Sequence, residues 1–215
     1  MSRIKRQLAF GRRIAEILQG DSRRQSWWVV VVCGLAYGAV MGSFGGRAGQ
    51  MAYSAVKVPL LLGATVLLTL PCFFMVNTLL GLRDDFATAL RGVIASQAGL
   101  TILLVSLAPI TLFWYASSGV YQQAILFNGV MFGIASLGAQ VILRRAYRPL
   151  IARNPIHQRL LKIWLVLYAF VGIQMGWILR PFIGEPSEPT QFFRPGAWDN
   201  AYEIVAKMAW SVFTR

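Results

Sequence analysis

The chain has 215 residues, of which 56% are hydrophobic and only 13% charged, yet its net charge is +13. Ordinary soluble domains are about a quarter charged, so this composition excludes one. Cys33 and Cys72 both fall inside apolar runs, and no disulfide framework or zinc-type spacing exists.

Residues 3–18 have helical amphipathicity: Ile4, Leu8, Phe10, Ile14, Ile17 and Leu18 share one arc, while Lys5, Arg6, Arg12, Arg13 and Glu16 share the other. Such a basic helix is expected either to lie in an anionic membrane leaflet or to pack on a partner subunit. Residues 1–25 form this basic arm, and Trp27 and Trp28 follow it where an interfacial aromatic belt belongs.

Five apolar runs then follow: Trp27–Gly46, Val58–Leu80, Val93–Tyr115, Gln122–Leu143 and Lys162–Leu179. Each is close to the ~20 residues a helix needs to cross a bilayer. None carries an ionisable group near its middle. The expectation is an all-α polytopic membrane protein with five transmembrane helices in residues 26–180, plus the N-terminal amphipathic helix and a C-terminal extramembrane helix. No cleavage site follows the first run, so it reads as a span rather than a signal peptide.

Basic residues sort by side. The arm holds seven, the connection 81–92 two, and the connection 144–162 six, making fifteen of the twenty-one. These three segments share a side in a five-span topology, so the N-terminus is expected in the cytoplasm and the C-terminus outside, in a bacterial inner membrane. Charge placed this way is directed at an anionic inner leaflet, and nucleic acid is not an expected partner.

In the first run Gly34, Gly38, Gly42 and Gly46 recur every four residues. This small-residue face lets another backbone approach, either a neighbouring span or a second subunit. Shorter versions occur at Gly129/Gly133 and Gly172/Gly176. Pro59 is expected near the start of the second helix, with Pro71 and Pro109 inside the second and third. Asp84 or Asp85 is expected to cap the third helix, with Arg83 and Arg91 as charge partners. The connection 116–121 demands an antiparallel hairpin, Asn154-Pro155 reads as a turn, and the lone His157 reads as exposed.

After the fifth run, Pro181 should stop the helix near Arg180. Residues 181–215 form the external tail. Arg180, Phe192, Phe193, Trp198 and Tyr202 are its candidate interface residues, on a packed lid across the bundle mouth or on a partner-docking helix.

Chemistry has few places to reside. The strong polar groups inside the runs are Asn77, Gln97, Asn128, Gln140 and Gln174, amides suited to bonding between helices or to lining a path for a neutral solute. No run contains a histidine, so Ser117 and Ser118 have no intramembrane base, and no metalloprotease or phosphate-loop spacing appears. Glu185, Glu188, Asp199 and Glu203 read as surface carboxylates. No catalytic, metal or cofactor residue is expected.

The five spans, the cytoplasmic N-terminus and the Pro59…Pro71…Asn77 stretch resemble Yip1-type membrane proteins. The segment Gly176-Trp177-Ile178-Leu179-Arg180-Pro181-Phe182-Ile183-Gly184, with Phe192-Phe193-Arg194 after it, resembles a tail found in uncharacterised bacterial multi-span proteins. The Yip1 resemblance implies an adaptor rather than an enzyme and carries no site residue across. The sequence therefore points to a non-enzymatic accessory or scaffold subunit that binds other membrane proteins or itself. The alternative is a small channel or carrier for a neutral solute built on helices 2–5.

Overall fold

The structure is a computed structural model that describes residues 23–194, with side chains from residue 26 onward. The amphipathic arm and the candidates Trp198 and Tyr202 lie outside the described residues. Five α-helices make up the described chain: α1 (Arg23–Gly42), α2 (Ala48–Leu79), α3 (Phe86–Ser117), α4 (Tyr121–Arg153) and α5 (Ile156–Ile178). A single 3-10 turn, Arg83–Asp85, precedes α3. The helices α2 to α5 are each long and apolar enough to cross a membrane, while the apolar part of α1, Ser26–Gly42, is shorter.

Several helices outrun their apolar stretches. At ~1.5 Å per residue the 32 residues of α2 extend about 48 Å. This helix begins ten residues before Val58, so Lys57 is not in a connection but inside the helix, and Pro59 sits in its interior. Glycines set two of the helix ends. Gly45 and Gly46 turn the chain after α1 at φ of 77° and 70°. Gly81, at φ 71°, closes α2 in a Schellman arrangement, with Leu82 N–H on the Asn77 carbonyl and Gly81 N–H on that of Thr78.

The glycine face of α1 is filled within the chain. A Cβ at Gly38 would lie 2.7 Å from Ala55 Cα, and one at Gly42 would lie 2.6 Å from the Gln50 carbonyl oxygen. Gly34 faces the Pro59 ring at 3.3 Å. Of the two readings of this face, internal packing against α2 is the one observed for these three residues. Gly46 departs from the pattern: it lies in the turn, and a Cβ there would meet nothing within 4 Å.

The core divides along the bundle. At the end covered by residues 179–194, the cap end, α1 to α4 contribute Tyr37, Met41, Val58, Leu62, Leu104 and Ala135, joined by Ile183 from that segment. At the opposite, turn end, Phe73, Val93, Tyr147, Leu150, Leu160 and Trp164 pack together. The buried residues of α5 are His157, Leu160, Leu161 and Trp164, all in its first nine residues. The rest of α5 is peripheral, and the cap-end core holds none of it.

The turn end corrects two expectations. His157 is fully buried, not exposed, and its Nε2 lies 3.0 Å from Asp85 Oδ2. Asp85 makes no side-chain cap bond to α3. Its carboxylate faces His157 and, at 3.8 Å, Arg153, rather than Arg83 or Arg91. A buried imidazole nitrogen needs a partner more than a helix end open to solvent does, and the Asn154-Pro155 turn brings one within reach.

Candidate functional site

The most elaborated part of the molecule is the irregular segment 179–194, which folds back against the bundle as a cap. Irregular backbone beside helices of membrane-crossing length leaves carbonyls that lipid could not satisfy. Side chains along α2 satisfy them here. Arg47, just before α2, donates to the carbonyls of Glu185 (2.6 Å) and Glu188. Gln50 Nε2 donates to Phe182 O at 3.2 Å and Pro181 O at 3.3 Å, and Ser54 Oγ also donates to Phe182 O. Lys57 Nζ donates to Pro181 O at 2.7 Å. Gln50, Ser54 and Lys57 lie at helical spacing on one face, and each is fully buried.

Aromatic and ionic contacts complete the cap. The Lys57 ammonium lies 4.9 Å from the centre of the Phe192 ring, which packs edge-on against Tyr53 and Phe193. Arg194 pairs with Glu188 (3.1 Å) and Glu185 (3.6 Å), closing the segment on itself. It also donates to Tyr121 Oη at 3.2 Å, and Tyr121 donates in turn to Ile183 O. Arg180 stacks its guanidinium 3.4 Å above the Trp177 ring. A Cβ at Gly184 would come within 2.6 Å of Arg47 Nη2 and 2.8 Å of Gln50 Cγ, so a side chain there would displace the two residues that hold the cap carbonyls.

Beneath the cap, α4 and α5 part around an apolar cleft of about 490 Å³. Met41 and Leu61 floor it, Tyr121, Ile125, Asn128, Gly129 and Phe132 form the α4 wall, and Trp177 with the cap residues 180–183 and Arg194 forms the other. A Cβ at Gly129 would meet nothing within 4 Å, and the same holds for Gly133 and Gly176. These glycines therefore do not seat a neighbouring helix of this chain, whereas Gly172 lies 3.6 Å from Thr65.

The five amides do not converge. Asn128 is committed to a three-helix junction: it accepts from Tyr37 Oη (3.2 Å) and donates to Tyr115 Oη (2.6 Å) and Ala124 O (2.8 Å). Tyr115 passes the chain on to Met41 O at 3.1 Å. Gln97 accepts from Tyr168 Oη at 2.9 Å, and Asn77 donates to Phe73 O within its own helix. Gln140 and Gln174 are half-buried. Of the five, Asn128 alone reaches the cleft. Among the described residues no group of three or more His, Cys, Asp or Glu could hold a metal ion.

The α2 face is what sequence reasoning missed. Arg47 and Lys57 are two of the six basic residues outside the arm and the two basic connections, and in the sequence they carry no more than that charge, while Gln50 and Ser54 carry no reading at all. Their 3-4-3 spacing was the available signal. The tail candidates Arg180, Phe192 and Phe193 all lie in the cap, where Arg180 and Phe192 pack within the chain and Phe193 stays 42% exposed.

These features define a helical protein with four helices of membrane-crossing length and a capped apolar cleft at one end. The chain matches no protein-family model, no curated protein and no solved structure.

Proposed function

We propose that this is a five-span, non-enzymatic membrane protein that serves as an accessory or scaffold subunit, with the cap as its recognition surface. The N-terminus is assigned to the cytoplasm of a bacterial inner membrane and the cap to the external side, on the distribution of basic residues. One observation carries the reading: Arg47, just before α2, and an amide, a hydroxyl and a cation on α2 hold an irregular segment in a single shape. Recognition surfaces work when rigid elements present them in this way. The segment leaves Pro186, Ser187 and Phe193 exposed. The glycine face, the other surface considered, is occupied by α2 and is not available to a partner. An adaptor role also agrees with what the Yip1-type resemblance implies.

The test is photocrosslinking in native membranes from Ser187, with exposed Leu137 on α4 as the control position. A discrete protein adduct from Ser187 and none from Leu137 is expected. Recovery of isolated monomer from every exposed cap position overturns the reading.

A carrier for a neutral solute is the second reading, favoured because the cleft reaches Asn128. Against it, the Asn128 amide is already bonded to two tyrosines and its own helix. Solute flux in proteoliposomes that Asn128→Leu abolishes would establish it.

A further inference from the structure

We propose that the cleft between α4 and α5 holds an acyl chain of a membrane phospholipid, with its anionic headgroup at the cap end beside Arg180 and Arg194. This goes beyond the subunit reading and stands or falls without it.

The surroundings come first. Past Trp164, α5 buries no residue fully, and the cleft lies where α4 and Trp177 of α5, both on helices of membrane-crossing length, meet the cap. Between helices of that length the medium is hydrocarbon rather than water. Ile125, Phe132, Leu61 and Trp177 present apolar surface to it, and the one amide on the wall has its bonds elsewhere. A polar solute would find little there to replace its hydration.

Size then selects among apolar occupants. The volume of about 490 Å³ lies within the ~300–1,000 Å³ typical of ligand pockets. A helix ~10 Å across would fill it with little more than one turn. A second copy of the chain, or residues 195–215 as a helix, would therefore leave most of their apolar face outside. A slender unbranched chain fits, and the missing side chain at Gly129 widens the wall for it.

Charge selects the headgroup. Four cations, Arg47, Lys57, Arg180 and Arg194, gather at this end with two carboxylates, Glu185 and Glu188, both paired with Arg194, an excess of two cations among the described residues. Arg180 and Arg194 are the two that line the cleft. Guanidinium groups bind phosphate oxygens through paired, charge-assisted hydrogen bonds. A headgroup with a net negative charge gains from the excess, whereas a zwitterionic one brings its own cation into it.

The experiment uses the full chain. Protein purified in mild detergent and stripped of lipid is offered equal phosphatidylglycerol and phosphatidylethanolamine, and retained lipid is read by native mass spectrometry. Retention of phosphatidylglycerol over phosphatidylethanolamine by about tenfold, or ~1.4 kcal/mol, is expected. Gly129→Phe should remove the retained lipid while leaving helical content unchanged, and Arg180→Gln should bring the two lipids to parity. If Gly129→Phe does not fold, Ile125→Trp is read by the same criteria. In parallel, p-benzoylphenylalanine placed at Ile125 in native membranes should yield a protein–phospholipid adduct. A wild-type protein that keeps no phospholipid, a filled cleft that keeps as much as wild type, or Ile125 adducts to residues 195–215 or to a second chain would each overturn the proposal.

Discussion

Gly38→Ala tests the seam between α1 and α2 with one methyl group. The new Cβ would lie 2.7 Å from Ala55 Cα and 2.9 Å from the Ser54 carbonyl carbon, both backbone atoms that no rotamer change can move. Carbon atoms in contact prefer ~3.5–4.0 Å, so the helices must separate by about 1 Å. A gap of that size forfeits roughly a quarter to a half of each neighbouring contact, including those at Gly34 and Gly42. Overpacking of this kind costs about 1–3 kcal/mol before that loss is added. The gain in helix propensity from glycine to alanine returns up to ~1 kcal/mol. A net destabilisation of about 2 kcal/mol follows. Gly133→Ala is the matched control, because its Cβ would meet nothing within 4 Å and only the propensity gain applies. Reversible unfolding in mixed micelles, followed by helical circular dichroism as the denaturing detergent fraction rises, should move the two variants in opposite directions. Wild-type stability in Gly38→Ala would refute the argument. So would a loss seen only as dissociation of an oligomer into monomers of unchanged stability.

Two further substitutions probe the ends of the bundle. Lys57→Met removes the 2.7 Å donor to Pro181 O and the cation beside Phe192. Amide hydrogen exchange at residues 182–188 should then accelerate about tenfold, the equivalent of one lost hydrogen bond; an unchanged rate would mean that Lys57 does not hold the cap. Asp85→Ala strips the buried His157 of its carboxylate and should cost about 1–3 kcal/mol, seen as faster amide exchange at residues 154–160. The exposed neighbour Asp84 should tolerate alanine within ~0.5 kcal/mol, and equal effects at both positions would dismiss the His157–Asp85 contact as a stabilising element.

Hydropathy makes the helices legible because a lipid-facing surface must be apolar wherever it occurs. It misplaces their ends for the same reason. The run at Val58 begins where Arg47, Gln50, Ser54 and Lys57 stop interrupting it, yet those side chains are polar because they face cap carbonyls, and the helix continues beneath them. Carbonyl acceptors belong to the backbone and leave no mark in a sequence, so half of the cap was invisible. The glycine repeat was legible as a close approach, but its partner was not, since Ser54 and Ala55 offer the seam backbone rather than a pattern. His157 misled because isolation in sequence says nothing about Asp85, 72 positions earlier and 3.0 Å away in space. The motif at 176–184 was recognisable as unusual, and five of its nine residues line the cleft.

The bonds that Arg47 and α2 make to the cap join positions 124 to 141 residues apart. Until the later segment arrives, Lys57 and Ser54 lack the carbonyls they donate to, and Gln50 keeps only the Ser54 hydroxyl, 3.1 Å away. The first hairpin is thus left chemically incomplete by its own sequence and is finished only by residues made after the fifth helix. A chain interrupted anywhere before Pro181 would keep a row of unmet donors on α2. That row would distinguish unfinished copies from finished ones for any membrane protease that recognises polar groups stranded in lipid.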